Sequence, residues 1–343
     1  MSDEIKRLKL QEIKKGMGNK KYLDYENIIN EGIITKDDMI EAGIITENSI
    51  EKLKNIKDQD RVIDLSKPNY ESPSKCTDVY FIGRPFPGIS CLNMGLLASP
   101  NFNWIHNAYG QELMQLCKMG MTPCTTCSSF THVTTGTINN ASNSKLYINI
   151  IESGSAIFKS MVEHQVEPWG ISRMLFNDNE KVLFILIDPT SYTYTQREFH
   201  VDGSCELKTV YQDEFLLGFL SWLELPKNKK VLNKVRAINV IVTKSDLLSG
   251  DYNKRDEIAT EILSDKYSFF IQKLKRLLED YSINESTDYC PQIFTFSLGK
   301  FYYGGIFEYD YTDSNKLLNA IACMSSGKRK KTWYEMLKDW FNN

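Results

Sequence analysis

Short apolar runs alternate with helical patterns along most of this chain, and this alternation constrains the fold more than any other feature. The apolar runs predict strands at residues 79–82, 130–135, 146–151, 182–187, 237–242 and 293–296. The stretches between them predict helices at residues 91–98, 157–165, 211–223, 257–280 and 315–324. Continuous apolar strands are typical of sheets that helices cover on both faces. We therefore predict an α/β fold with a three-layer, mostly parallel sheet, in which ligands bind at the carboxyl ends of the strands.

Composition divides the 343 residues into four parts, in line with a length that exceeds one average domain. Residues 1–63 are rich in lysine and glutamate and predict a small helical region, while residues 64–76, with two prolines and several serines, predict a linker. Residues 77–325 carry the strand and helix alternation. Residues 326–343 place aromatic and apolar side chains at three- and four-residue spacing after a basic run, which predicts an amphipathic helix. This helix has three candidate roles: packing on the main domain, binding a partner protein or contacting a membrane surface.

A Gly-Ile-Ile-Thr repeat begins at Gly32 and again at Gly43. Each glycine suits the C-terminal cap of a short helix, and Thr35 and Thr46 suit the N-cap of the next. Asp38, three residues after Thr35, predicts a capping box. The repeat is compatible with a stabilising cap on the main domain or with a docking module for a partner.

Charge and apolar patterning exclude several classes of function. The net charge of −3 gives no reason to expect nucleic acid as a partner, and no apolar run is long enough to cross a membrane. The polar first residues do not read as a signal peptide. Eight scattered cysteines without such a signal predict reduced thiols, and we expect a cytoplasmic protein.

Residues 77–91 read as an apolar strand, a turn rich in glycine and proline, and the start of a helix. The phosphate-binding template G-x-x-x-x-G-K-[S/T] can be laid on this stretch with Gly83 and Gly88 at the glycine positions and Ser90 at the magnesium-ligand position. The lysine position holds Ile89. The turn therefore keeps the shape of a P-loop and loses the point charge that contacts the terminal phosphates.

A second motif follows the predicted strand 237–242, where the chain reads Thr243-Lys244-Ser245-Asp246. Here the sequence resembles the P-loop GTPases of the translation-factor and Ras-like class, whose guanine-recognition motif is [N/T]-K-x-D. An aspartate carboxylate accepts hydrogen bonds from guanine N1–H and the exocyclic amine, and the lysine stem can lie over the base. The alternative is an ordinary strand-to-loop turn with a capping aspartate.

The resemblance implies roles for two more strand ends. Ser297 and Leu298 fall where a backbone N–H of such proteins meets the guanine oxygen, and Gly154 falls at the glycine of the D-x-x-G motif. The aspartate position of that motif holds Ile151. Because neighbouring strand residues point to opposite faces, we expect Glu152 to point away from the site unless the strand bulges.

More distantly, residues 77–325 resemble bacterial GTPase-like proteins of predicted conflict systems. The residues that carry this resemblance are 150–158 (IIESGSAIF), 183–189 (LFILIDP), 243–248 (TKSDLL) and 296–303 (FSLGKFYY). It implies a G-domain-like fold more firmly than an activity.

The guanine motif is intact, while the phosphate-side motifs keep their glycines and lose their charges. We therefore expect a pseudo-GTPase, a catalytically impaired scaffold or regulatory protein whose partner is another protein, an active GTPase relative being one candidate. The alternatives are a guanine-nucleotide sensor and a slow GTPase in which Arg84 replaces the missing lysine. GTP or GDP with Mg²⁺ on Ser90 is the cofactor set that these alternatives imply.

Two further residue sets have a chemical and a structural interpretation. Cys117, Cys124, Cys127 and His132 offer four zinc ligands at a spacing that matches no common zinc motif, and free thiols in a loop are the alternative. Asp188, at the end of strand 182–187, predicts a turn cap before Pro189 rather than a catalytic carboxylate.

Overall fold

The computed structural model describes residues 3–17, 20–56, 61–64, 73–83, 88–126, 131–139, 144–153, 174–199, 205–249 and 251–326. The predicted helix at 157–165 and the predicted C-terminal helix after residue 326 lie outside the described residues. Within the described part of the chain, no helix has the length and apolar character needed to cross a bilayer.

Four short helices form the N-terminal region: α1 (Asp3–Lys15), α2 (Tyr22–Asn30), α3 (Lys36–Glu41) and α4 (Glu47–Asn55). The Thr35 hydroxyl accepts from the amide of Asp38 at 3.1 Å, and the Asp38 carboxylate accepts from the amide of Thr35 at 2.8 Å. Thr46 caps α4 in the same way, and Gly32 and Gly43 adopt positive φ after α2 and α3. The capping pattern that the sequence predicts is therefore confirmed.

The central sheet has seven strands in the order β11-β10-β7-β2-β6-β5-β3. Their bounds are β2 (Thr77–Ile82), β3 (Asn103–Trp104), β5 (Thr131–Asn139), β6 (Lys145–Glu152), β7 (Glu180–Ile187), β10 (Val235–Thr243) and β11 (Ile293–Phe296). Strands β11, β10, β7, β2 and β6 are parallel, while β5 and β3 complete one edge in antiparallel pairing. The predicted mostly parallel sheet is confirmed.

Helices cover both faces of this sheet. They are α5 (Ile89–Ala98), α6 (Ala108–Met119), α7 (Gln212–Leu223), α8 (Lys229–Leu232), α9 (Tyr252–Lys266), α10 (Ser268–Asp280) and α11 (Thr312–Ser326). Helices α5, α6 and α11 bury their apolar residues in one core, and α7 to α10 bury theirs in the other. The result is a three-layer α/β architecture, consistent with a P-loop GTPase-like fold. The single helix predicted at 257–280 is wrong, because the helical dihedral angles are interrupted at the buried Tyr267.

Three smaller strand pairs lie beside the sheet. Strand β1 (Val62–Asp64) pairs in parallel with β4 (Cys124–Thr126), and β8 (Thr193–Phe199) pairs with β9 (Cys205–Tyr211). Strands β12 (Gly299–Tyr302) and β13 (Ile306–Tyr309) form an antiparallel hairpin.

The N-terminal helices pack on the tip of the β12–β13 hairpin. Tyr303 is buried among their apolar residues, and its amide donates to the carbonyl of Ile44 at 2.7 Å. Gly304 has φ +77°, and an added Cβ would lie 2.4 Å from a methyl carbon of Leu53. Only glycine fits this tight, left-handed position. The contact places the N-terminal helices as a cap on the hairpin, one of the two arrangements that the repeat allows.

Candidate functional site

The turn after β2 leads into helix α5 at the carboxyl edge of the sheet. Gly83 is buried, Gly88 adopts φ +87° as the N-cap of α5, and residues 84–87, which include Arg84, lie outside the described residues. Ile89 is only 6% exposed and packs in the core beneath α5 and α6. The residue at the P-loop lysine position is therefore a core side chain.

Ser90, one residue later, donates its hydroxyl to a buried carboxylate. Its Oγ lies 2.7 Å from Oε1 of Glu152, while Asn93 Nδ2 and Tyr109 OH reach Oε2 at 2.9 and 2.5 Å. Glu152 is 3% exposed. Burying a carboxylate is costly unless donors surround it, and here three neutral donors do so. The end of β6 thus presents a carboxylate to the start of α5.

This geometry corrects the expectation for Glu152. Ile151 pairs with Tyr80, and both side chains lie in the core on the far face, whereas Glu152 pairs with Phe81 on the face of α5. The rule of alternating faces holds, but Ile151 is the residue that points away from the site. Gly154, which anchored the motif in the sequence, lies outside the described residues.

The motif after β10 meets the P-loop-like turn at the same edge. An added Cβ on Gly88 would lie 4.0 Å from Cβ of Thr243, the last residue of β10. Lys244 follows with a left-handed φ of +52°, and its Nζ lies 2.7 Å from Oδ2 of Asp188. The sequence therefore placed the two motifs at one edge correctly, since both follow parallel strands.

Asp188 caps a turn, as the sequence predicts, and also holds Lys244. Its Oδ1 accepts from the amide and the hydroxyl of Thr190 at 2.9 and 2.6 Å. The ion pair with Lys244 was not predicted from the sequence. The signal that could have found it is that both residues end neighbouring strands, β7 and β10.

The carboxylate of Asp246 lies against the loop that follows β11. Ser297 Oγ donates to Asp246 Oδ1 at 3.0 Å, and Leu298 is buried in the core beside α5. Burial raises the pKa of Asp246, and the hydrogen bond from Ser297 opposes that rise. The backbone amide of Ser297 donates to Oδ2 of Asp313 at 2.9 Å, a contact that sequence reasoning missed.

Cys117 and His132, the two candidate zinc ligands whose side chains the structure describes, do not come together. Cys117 packs in the core beside α5, while His132 pairs with Ile151, whose side chain lies on the opposite face of the sheet. Burial raises the pKa of Cys117 to about 11, so its thiol stays protonated and is a poor ligand. Cys127 lies outside the described residues, and the structure describes only the backbone of Cys124. Within the described residues, no group of three or more potential metal ligands is present.

Comparison with known proteins gives structural likenesses and no relative by sequence. No protein-family model and no curated protein matches the chain. Among solved structures it is similar to the signal recognition particle receptor SRb-GTP/SRX complex from Chaetomium thermophilum, at 12% identity and a TM-score of 0.38, over 73% of this chain and 99% of that chain. The sheet order and the succession of strand β2 and helix α5, rather than this likeness, give the chain a GTPase-like fold.

Proposed function

We propose that this chain is a guanine-nucleotide-binding regulatory or scaffold protein with impaired hydrolysis, acting through contacts with a protein partner. One contrast carries the proposal. The carboxylate suited to guanine is held in place by Ser297, whereas the position of the phosphate-binding lysine is a buried isoleucine.

On the guanine side, Asp246 and Ser297 come from two separate loops and meet at 3.0 Å. A carboxylate fixed in this way offers acceptors to a purine that carries two adjacent donors, which guanine does and adenine does not. A site that hydrogen-bonds a ligand through buried polar groups discriminates strongly against analogues that leave those groups unpaired. The geometry therefore favours guanine over adenine.

On the phosphate side, the start of α5 presents backbone amides to an anion, and the helix dipole adds to their attraction. Ile89 supplies no charge there, and one charge-assisted hydrogen bond contributes about 1.5–3 kcal/mol. Phosphoryl transfer depends mainly on positioning and on neutralising the charge of the transition state. We therefore expect the nucleotide to bind weakly and to be hydrolysed slowly.

The residues at the metal position fit Mg²⁺ better than the sequence predicts. Ser90 and Glu152 supply a hydroxyl and a carboxylate oxygen, and Mg²⁺ prefers oxygen donors. Bound Mg²⁺ would neutralise phosphate charge, and Glu152 would orient the Ser90 hydroxyl. The missing lysine is then the main departure of this site from a P-loop that binds nucleotide with Mg²⁺.

The test is a titration of fluorescent GDP and GTP against wild type, Asp246→Ala and the matched control Glu257→Ala, with and without Mg²⁺. We expect Mg²⁺-dependent binding in the micromolar to millimolar range, about −8 to −4 kcal/mol, that Asp246→Ala weakens about a hundredfold and Glu257→Ala preserves. Equal affinity for adenine and guanine nucleotides would contradict the proposal. Measurable GTP turnover that Arg84→Ala removes would instead support the slow-GTPase alternative.

A scaffold that binds no nucleotide is the second candidate, and one observation favours it. Lys244 is paired with Asp188, and Glu152 is satisfied by Ser90, Asn93 and Tyr109, so both edges of the site hold their charges without a ligand. Absence of binding up to about 1 mM nucleotide would support this candidate over the first.

A further inference from the structure

A buried ion pair lies behind the two loops that the proposed function assigns to guanine. Arg255 of α9 and Asp313 of α11 are 6% and 3% exposed, and Nη1 of the arginine lies 4.0 Å from Oδ2 of the aspartate. Helix α9 follows the Thr243–Asp246 loop along the chain, and α11 follows the β12–β13 hairpin. The pair therefore joins the elements that come after each loop.

Asp313 holds the second loop by its backbone. Oδ2 of Asp313 accepts from the amide of Ser297 at 2.9 Å, and the Ser297 hydroxyl donates to Asp246 at 3.0 Å. The carbonyl oxygen of Gly299 lies 2.9 Å from the same Ser297 hydroxyl and is the alternative acceptor for its single proton. The direction of the Ser297 hydroxyl, and with it the place of the Asp246 carboxylate, depends on where Asp313 holds the backbone.

Arg255 holds the first loop. Its Nε donates to the carbonyl of Ser249 at 2.7 Å, three residues beyond Asp246, and its guanidinium lies 4.2 Å from the centre of the Tyr252 ring. Nη1 is buried and makes no hydrogen bond with the described part of the chain. The planar guanidinium of Arg255 therefore bonds the loop after β10 and extends toward the Asp313 carboxylate, which in turn holds the loop after β11.

We infer that Arg255 and Asp313 are positioning residues that fix the separation of the two guanine-contacting loops and so set the selectivity for guanine. The inference rests on the proposed function. A buried ion pair seldom adds more stability than apolar residues of the same volume, so stability alone does not account for this one. Its contacts run to both loops, as a role in specificity requires.

Protonation of Asp313 should make this positioning role depend on pH. Burial raises the pKa of Asp313 to about 6, against the opposing effects of the Ser297 amide, Arg255 and Lys316, while Asp256 adds to the rise. The charges that face Asp246 are Arg255 and Lys244. As the pH falls through about 6, Asp313 gains a proton and its attraction to Arg255 is lost. A neutral carboxyl is a weaker acceptor than a carboxylate, so we expect the local hydrogen bond from the Ser297 amide, as distinct from the fold as a whole, to weaken between pH 7 and pH 5.5.

The experiment uses the full chain with Asp313→Asn, Arg255→Gln and Arg255→Lys. The control variants Lys254→Met and Glu257→Gln change exposed charges on the same helix. The first readout is amide hydrogen exchange at Ser297 and residues 244–249 without nucleotide, corrected for intrinsic rates. The second is the ratio of affinities for GDP and inosine diphosphate, which lacks the exocyclic amine.

We expect Asp313→Asn and Arg255→Gln to speed exchange at Ser297 about tenfold and to lower the ratio of GDP to inosine diphosphate affinity by a similar factor, about one unit of log K. Arg255→Lys keeps the charge without the planar fork and should give a smaller change. In the control variants, the exchange rate of Ser297 and the ratio of GDP to inosine diphosphate affinity should both stay within about twofold of wild type.

Unchanged exchange at Ser297 in both charge-removing variants would overturn the inference, whatever the nucleotide result. If wild type binds no nucleotide, the proposed function fails, and Ser297 exchange still decides whether Asp313 and Arg255 position the loop. If a variant does not fold, the pH dependence of Ser297 exchange in the wild-type chain tests the inference instead. Protection of Ser297 should drop between pH 7 and pH 5.5, and a flat profile would contradict the inference.

Discussion

The two edges of the candidate site solve the burial of charge in opposite ways. On the guanine side, Asp246 and Asp313 share Ser297, and Arg255 lies behind them as a counter-charge. On the phosphate side, Glu152 is held by the neutral donors Ser90, Asn93 and Tyr109, and the lysine position is apolar.

Under the proposed function, this difference separates recognition of a base from chemistry on a phosphate at one edge of the sheet. The first needs fixed acceptors, which the guanine side retains. The second needs concentrated positive charge, which Ile89 does not supply. Each prediction below changes a residue on one of the two sides and so tests the difference between them.

The largest effect is expected from Glu152→Ala, which removes the shared acceptor of the phosphate side. Ser90, Asn93 and Tyr109 would lose a charged partner in a buried setting, so we expect a loss of about 3–5 kcal/mol in the free energy of unfolding. Urea denaturation measures this loss. Tyr109→Phe removes one of the donors named here and should cost about 1–2 kcal/mol; equal losses would show that the carboxylate is not the shared centre.

Asp313→Asn should change how stability depends on pH. The folded pKa is raised to about 6 from an ordinary value near 4, so the folded state binds this proton more tightly than the unfolded state. The resulting stabilisation is complete below about pH 4 and is lost as the pH rises to about 6, by about 3 kcal/mol.

The asparagine variant lacks this titration, so its free energy of unfolding relative to wild type should rise by about that amount between pH 4 and pH 7. Chemical denaturation across this pH range measures the difference. A constant offset between the two proteins would show that Asp313 titrates normally. Burial of ionised Asp313 would then not lower the free energy of unfolding.

Asp246→Ala should break the guanine side alone. We expect guanine-nucleotide affinity to fall about a hundredfold, or about 2.7 kcal/mol, because buried polar ligand atoms would be left unpaired. The free energy of unfolding should change little beyond the loss of the contact with Ser297. Competition titration against a labelled nucleotide measures the affinity. A loss of stability without a loss of selectivity would make Asp246 a structural capping residue.

The smallest effect on nucleotide binding is expected from Ile89→Lys, which returns a charge to the phosphate side while its aliphatic stem replaces a core side chain. We expect GTP affinity to rise about tenfold, or about 1.4 kcal/mol, because the ammonium adds one charge-assisted contact. Ile89→Met is the matched control, since it keeps an apolar side chain of similar length at this buried position. If methionine and lysine give the same affinity, the lysine position is not what limits binding.

Local patterns explain what the sequence predicted. The apolar strands, the Gly-Ile-Ile-Thr caps and the helix that begins at Ile89 each depend on neighbours along the chain. Ile151 and Glu152 show where this reasoning fails. Their order was anchored on a glycine three residues away, and a shift of one residue exchanges the two faces of a strand.

The contacts behind the site had no local signal. Asp313 and Arg255 meet through the packing of α9 and α11, and Tyr109 reaches Glu152 from α6. Each is an ordinary residue in an ordinary helical pattern, and only the tertiary fold gives it a partner. The break at Tyr267 is similar, because this buried residue hydrogen-bonds Gln212 of α7 across the core.

The hairpin tip that carries Tyr303 has a consequence for how the chain is made. The four N-terminal helices leave the ribosome early, but their apolar cluster is completed by a residue from the far end of the sheet domain. During synthesis they must therefore wait, with part of their apolar surface exposed, until the sheet and its hairpin exist. These helices are made before the sheet domain and reach their final packing only after it.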